Sequence, residues 1–468
     1  MGANRLISLE RSVLARRRTP LLGVAGCLLA LLLLFVCLSS GCATARTKQA
    51  QAPKPGPTQT EAEEKEQPQK ARPQEEERDE EDSLLSRSLA APEYLWKGFT
   101  YPFKRLAIAY ERADVMNRAL DLFLNQERTG GIYPRFALGG ALSSGIGFTA
   151  FNKNLFHQQK EVQLRYLLAT RGNQTADFRY RDPSFLGSTF MFDTDVFWLK
   201  FDDSHFFPGG NRAGENNRTS YALDQVSVNT TFSHMVASNL KASLLGRILF
   251  TDAEPSSRLP STPVTVPGIN DDMQGVAVEP SLTYDSRDNQ FRPSTGWYLD
   301  SGFTFTEQLN GDQFRYMGYW VDMQRYIPVF QGNRVLLVRA YLSKLDSLND
   351  QSIPFYELNL LDVNNGLRGF DRGRWQDKGA LLFNLEWRYP AWKDIEGTIF
   401  LDEGQVFGDY KDLQLKSFRY SAGAGFRFVT AQKFSFRMQV AVSEDGVFSL
   451  LRADLEFFRR RGTILGGF

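Results

Sequence analysis

The chain has 468 residues, a formal charge of +1 and 42% hydrophobic residues, among them 37 phenylalanines. So even a charge balance argues against a nucleic-acid partner, and the overall composition would suit a soluble protein of two or three domains. The apolar patterning excludes something else: after residue 42 no apolar run is long enough for a spanning helix, so any membrane span downstream is a strand.

Residues 1–41 read as an export signal. Arg5, Arg11, Arg16, Arg17 and Arg18 precede an apolar core from Leu21 to Leu38, which ends at Leu38-Ser39-Ser40-Gly41-Cys42. That ending is similar to a bacterial lipobox, with Leu four places before the Cys instead of the usual three. Acylation of Cys42 is the expectation, against a plain cleaved signal or an uncleaved anchor helix. Cys27 and Cys37 lie in the removable segment, so a mature chain would keep one thiol and form no internal disulfide.

Residues 42–90 are rich in Pro, Gln and Glu, with eleven acidic and four basic residues between Glu61 and Asp82. Such a stretch buries too little apolar area to offset its ordering entropy, and the expectation is a disordered tether. Residues 91–130 change character. Leu106, Tyr110, Ala113, Met116, Leu120 and Leu124 recur at threes and fours, which predicts an amphipathic helix. Trp96, Phe99, Tyr101 and Phe103, mixed with Lys97, Lys104 and Arg105, precede it; a membrane interface and a barrel rim would both accept that face.

From 131 to 468 the chain reads as alternating strands broken by polar or Gly-rich turns. Leu240, Ala242, Leu244, Gly246, Ile248 and Phe250 alternate with Lys241, Ser243, Leu245, Arg247 and Leu249. Tyr420, Ala422, Ala424 and Phe426 alternate with Arg419, Ser421, Gly423, Gly425 and Arg427. A soluble sandwich would also alternate. The export signal, the aromatic apolar face and the mid-strand Arg and Glu instead favour a hydrated lumen opposed to lipid. An Arg at the hydrocarbon midplane would cost roughly 2–4 kcal/mol, so the phase of each strand is fixed. The segmentation predicts sixteen strands, near 133–141, 145–152, 160–170, 174–182, 187–201, 219–232, 239–250, 276–285, 297–307, 314–327, 334–346, 379–389, 396–404, 418–428, 433–442 and 448–458. The expected fold class is all-β: a closed antiparallel transmembrane barrel with a short N-terminal periplasmic helix and a disordered tether.

The longest late interruption, from about Ser347 to Gly379, holds Gly366-Leu367-Arg368-Gly369-Phe370. A patternless loop of that length is usually functional or disordered, and Gly366, Gly369 and Gly373 would let it fold back into the lumen. On the strands that follow, Leu381, Phe383, Leu385, Trp387 and Tyr389 point to lipid, which turns Asn384, Glu386 and Arg388 inward; Phe400, Asp402 and Gly404 share the inner face of the next strand. Strict alternation sends Glu403 outward unless a bulge intervenes.

Leu367-Arg368-Gly369-Phe370 resembles the motif borne by a loop between the eleventh and twelfth strands in the outer-membrane assembly-factor superfamily, the BamA-like and TamA-like barrels. The resemblance implies that Arg368 enters the lumen and contacts Glu386 and Asp402, making Arg368, Gly369, Phe370, Glu386, Asp402 and Gly404 a loop lock. Tyr284-Asp285-Ser286-Arg287-Asp288-Asn289, followed by Pro293 and Gly296, looks like the family's mid-barrel hairpin, and Phe206-Phe207-Pro208-Gly209-Gly210-Asn211 like its Gly-containing turn. The resemblance spans roughly residues 131–458. It also implies assistance to insertion or translocation at the outer membrane through weak pairing of the first strand, about Tyr133–Ala141 with Gly139 and Gly140, and the last. A plugged passive pore is the alternative.

Two departures qualify it. Residues 43–130 leave no room for a chain of periplasmic POTRA modules, so the chain resembles the short members without them. Family barrels often stop at an aromatic residue, whereas here Phe457-Phe458 is followed by Arg459-Arg460-Arg461 and a Gly-rich tail.

No catalytic role is expected. His157, His205 and His234 fall far apart in the strand map, no Gly-x-Ser-x-Gly elbow appears, and Ser143-Ser144-Gly145 reads as a turn. Asp202-Asp203-Ser204-His205 is better read as a polar turn than as the acid and His of an omptin-type protease. No spacing suggests a metal or cofactor. The partners expected are outer-membrane lipid, client outer-membrane proteins or periplasmic factors.

Overall fold

The computed structural model describes residues 122–138, 144–214, 218–256, 266–290, 292–329, 334–391, 395–429 and 434–455. The export signal, Cys42, the acidic linker, most of the 91–130 segment, Gly139, Gly140 and the tail from Phe457 lie outside the described residues.

Among the described residues sixteen strands follow one another in a single antiparallel ring. They are β1 (Gly130–Leu138), β2 (Gly145–Leu155), β3 (Lys160–Ala169), β4 (Gln174–Asp182), β5 (Phe190–Phe206), β6 (Thr219–Ala237), β7 (Leu240–Pro255), β8 (Asp272–Asp285), β9 (Gly296–Gln308), β10 (Arg315–Pro328), β11 (Val335–Ser347), β14 (Gly379–Pro390), β15 (Ile395–Phe407), β16 (Arg419–Val429), β17 (Phe434–Ser443) and β18 (Gly446–Leu455). Two further strands, β12 (Asn359–Leu361) and β13 (Trp375–Asp377), pair with each other inside the connection from β11 to β14. Sequence reading did not foresee them, because three residues are too few to show alternation.

The predicted helix of 91–130 is described only at its end. Leu122 and Phe123 have helical backbone, Leu124 bridges to Gly131, and the barrel begins at Gly130. Leu124 packs on Tyr133 and Phe151, which anchors the entry to β1.

Along each strand side chains alternate between the two faces of the sheet. On β7, Leu244, Ile248 and Phe250 are exposed outside, while Ser243, Leu249 and Thr251 are buried inside. The inner face carries cross-strand ion pairs, among them Arg165 with Asp177 at 2.7 Å, Arg247 with Glu279 at 2.6 Å and Arg339 with Asp322 at 2.8 Å. The expectation of a uniformly hydrated lumen needs correction. Inward Phe201, Phe206, Tyr221, Leu249, Met273 and Tyr316 pack with Ile353, Phe355, Tyr356 and Leu360 of the connection after β11. Alternation names the inner face but not what a loop carries into it.

Three local readings also change. Asp202 and Asp203 are not a turn: β5 continues to Phe206, with an irregularity where its pairing to β6 shifts between Phe201 and Ser204. Tyr389 faces outward but is buried, because its ring covers Gly397 on the neighbouring strand, where an added Cβ would lie 2.3 Å from the ring. Phe407 covers Gly379 in the same way at the other end of the β14–β15 pair. Glycine leaves the space and the aromatic fills it, so this strand pair is clasped at both ends. Glu403 points outward opposite Tyr420, with no register shift between β15 and β16 to turn it.

The expected weak pairing of the first and last strands is described over a short stretch. Among the described residues β1 meets β18 at three positions, Phe136 with Ala453, Ala137 with Arg452 and Leu138 with Leu451. Its ladder to β2 has eight pairs, and that between β17 and β18 has ten. Toward the start of β1 the ladder to β18 stops at Arg135 and Pro134, although Asp454 and Leu455 continue β18. Proline has no N–H to donate, which is why it belongs at strand edges.

Candidate functional site

Between β11 and β14 the chain folds back into the ring. Gly366 at φ +105° and Gly373 at φ +73° occupy the left-handed region that glycine tolerates best. Gly369 serves a different purpose: a Cβ there would lie 2.5 Å from the Cβ of Ser421 and 2.8 Å from that of Ser443, so its small size permits close approach. The tip is held by Asp362, whose Oδ1 accepts the N–H groups of Asn364 at 2.9 Å and Asn365 at 3.0 Å. The Val363 N–H then donates to the Phe370 carbonyl at 3.0 Å.

Arg368 sits at this tip. Its Nε and Nη2 donate to the two carboxylate oxygens of Asp402 at 2.8 and 2.7 Å, while Nη1 donates to Glu386 Oε2 at 2.6 Å. The Arg368 backbone N–H adds a longer bond to Asp402 at 3.2 Å. The register explains why one guanidinium reaches both acids: Asn384 lies opposite Asp402 and Glu386 opposite Phe400, so both carboxylates project inward from adjacent strands.

Asp402 is fully buried. Asn384 Nδ2 donates to it at 2.7 Å and to the Gly366 carbonyl at 2.7 Å, and Ser421 Oγ lies 3.3 Å from it. Arg388 donates to the other oxygen of Glu386 at 2.7 Å. Phe400 lies beneath the Arg368 guanidinium, 3.5 Å from ring centroid to Cζ. A planar fork between two acids, stacked on an aromatic face, is the arrangement for which arginine is suited and lysine is not.

Phe370 and Gly404 belong to the apolar side of the same attachment. Phe370 is fully buried with Phe207, Leu361, Leu367 and Trp375, and meets the Trp375 ring edge-on at 5.6 Å. Gly404 leaves room for the loop: a Cβ on it would lie 2.9 Å from Leu361 Cδ1.

Sequence reading missed a second attachment. Arg374 Nε donates to Asp445 Oδ2 at 2.6 Å, in the turn joining β17 to β18, and its Nη1 donates to the Ala213 carbonyl at 2.7 Å. Its guanidinium lies 3.8 Å from the Trp375 ring centroid, and that of Arg419 lies 4.3 Å from the same ring. Ser443 Oγ donates to the Gly369 carbonyl. The loop is therefore fastened to the last hairpin as well as to β14 and β15. Asp445-Gly446 could have been read as a hairpin turn, but nothing in the sequence pairs it with Arg374. Pro134 was the available signal for the short β1–β18 ladder.

His205 Nδ1 lies 3.9 Å from Asp371 Oδ2. Burial opposes ionisation of Asp371, yet the nearby His205 ring and the Arg372 backbone N–H hold its carboxyl below the usual range. Burial pushes the Asp362 carboxyl up, and among the described residues its Oδ2 has no hydrogen-bond partner.

A family profile, the Omp85 superfamily domain, matches residues 154–447. Among solved structures, BamA from Haemophilus ducreyi lacking POTRA domains 1-3 is similar at 15% identity and TM-score 0.53, with 70% of each chain covered. CdiB from Escherichia coli is similar at 14% identity and TM-score 0.49, covering 69% of this chain and 62% of that one. CdiB from Acinetobacter baumannii gives 12% and 0.46, covering 69% and 59%. No curated protein matches in sequence.

Proposed function

The chain belongs to the Omp85 superfamily, and on that premise we propose that it is a bacterial outer-membrane barrel that assists insertion or translocation of proteins, or of lipids, at the junction of β1 and β18. The observation that carries this reading is that, among the described residues, β1 and β18 share three pairs, with Arg135 and Pro134 outside the ladder while β18 runs on to Leu455. Strand edges that do not use their N–H and C=O groups on each other are available to template an incoming strand or to disturb adjacent lipid. Exposed apolar side chains around the ring, including Phe303, Phe305, Phe383 and Leu401, support placement in a bilayer.

Arg368, with Glu386 and Asp402, holds the internal loop and so sets the state of the barrel. Acylated Cys42 and the linker of 42–90 would tether the periplasmic side. The partners are lipid and client outer-membrane proteins or periplasmic factors; no cofactor or catalytic step enters the proposal. A passive barrel plugged by its own loop is the rival, and the packing of Phe355 and Tyr356 into the inner core favours it.

A disulfide across the junction separates the two. Ala137→Cys with Arg452→Cys joins residues that are direct backbone partners. If the junction works, the oxidised double variant loses activity and reductant restores it, the readout being the abundance of other barrel proteins or of surface lipid in depleted cells. Unchanged levels in oxidised cells, with only small-solute uptake responding to depletion, would leave the passive barrel standing.

A further inference from the structure

Basic residues on the outer face of the ring are nearly all matched to an acid. Lys160 lies 3.3 Å from Asp182, Lys200 lies 3.6 Å from Asp202, Lys344 lies 2.5 Å from Asp346, and Arg315 pairs with Glu307. Arg325 is different. It shares β10 with Arg315 but sits near the opposite end, and among the described residues no carboxylate lies within ion-pair distance of it.

Its orientation follows from its neighbours. Asp322 and Gln324 face inward, where Asp322 holds Arg339 and Gln324 accepts from Tyr326, so Val321, Met323 and Arg325 face outward. The contact it has is the ring of Trp297, directly opposite on β9, with the guanidinium 4.8 Å from the centroid. Trp297 is exposed, as are Leu299, Met323 and Val338 around it. Tyr284 is also exposed at the matching end of β8, beside Leu299. Trp and Tyr gather where hydrocarbon gives way to headgroups, and they mark the depth at which a guanidinium can leave the hydrocarbon.

We propose that Arg325, stacked on Trp297, is a binding site for the phosphate of a membrane glycerophospholipid. Trp297 fixes the guanidinium plane, leaving donor edges free for phosphate oxygens, while Leu299 and Val338 offer apolar surface to the acyl chains. The opposite end of β10 lacks this chemistry because Glu307 neutralises Arg315. The site rests on the membrane placement proposed above but not on any opening between β1 and β18.

The test is native mass spectrometry of the full chain in non-ionic detergent, titrated with phosphatidylglycerol or, separately, with inorganic phosphate. Wild type retains the lipid at low occupancy number, and Arg325→Gln weakens the first binding event about tenfold, Arg325→Lys by less, because one charge-assisted fork is lost or blunted. Trp297→Leu weakens it as well, and it serves as the second probe should Arg325→Gln not fold, as judged by heat-modifiability. Inorganic phosphate alone leaves lipid occupancy unchanged. Equal retention by wild type, Arg325→Gln and Trp297→Leu overturns the site, and displacement by inorganic phosphate reassigns it to the free anion. Wild type that retains no lipid overturns both the site and the membrane placement.

Discussion

Arg374 in the internal loop and Asp445 in the last hairpin are joined by a hydrogen-bonded ion pair at 2.6 Å, although 71 residues separate them in sequence. Arg374 is buried and Asp445 nearly so, with side-chain exposures of 7% and 10%. This ties the loop that carries Arg368 to the hairpin whose final strand makes the short ladder with β1. Any displacement of β17 and β18 away from the loop must break that pair.

Arg374→Gln should therefore lower the unfolding temperature on a semi-native gel and loosen the last hairpin. The expected loss is about 1.5–3 kcal/mol, that of hydrogen bonds to a charged group. Hydrogen exchange should speed up at the β17–β18 turn in particular; a uniform change across the barrel would argue against a specific tether.

Arg368→Ala removes a cation from between two buried acids. Leaving Glu386 and Asp402 uncompensated should cost about 3–5 kcal/mol, and heat-modifiability should fall accordingly. Arg368→Lys should recover only part of the loss, because an ammonium cannot reproduce the fork that spans both carboxylates. An unchanged unfolding temperature in the Ala variant would count against the lock.

Gly369→Ala tests close approach without touching a charge. The added methyl would collide with Ser421 and Ser443, and overpacking of this kind costs about 1–3 kcal/mol. Replacing both serines by glycine in the Gly369→Ala background should return most of that loss, apart from the hydrogen bond from Ser443 to the Gly369 carbonyl.

Asp362 gives a pH signature. Burial raises its pKa in the folded state, so the folded chain holds this proton more tightly than the unfolded chain does. Its contribution is greatest below the unfolded value and declines as pH rises through the folded value. Asp362→Asn keeps an acceptor for Asn364 and Asn365 and removes the buried charge. Thermal unfolding measured from acid to neutral pH should show a weaker decline in the variant than in wild type, with parallel curves as the contrary result.

Much of the barrel was legible because a strand's side chains repeat every two residues. Leu385 outward and Glu386 inward follow from one another, and the same period sets Leu401 against Asp402. Arg368 was legible by resemblance, flanked by glycines in a stretch with no alternation. The packing of Phe355 and Tyr356 was not, since an irregular loop has no period from which its direction can be read. The glycine roles were half legible: sequence suggests that Gly366 and Gly369 matter, but only coordinates separate a left-handed backbone from a crowded contact.

By itself, the sequence determined the strand phases and the residue types able to clasp a loop, because both are local consequences of the pleat and of side-chain chemistry. Only the tertiary structure decided that Arg374 finds Asp445, that β1 and β18 share three pairs among the described residues, and that Arg325 stands apart from every described carboxylate. Each of these depends on closing the chain across long separations, where the register of one strand is set by all those between it and its partner.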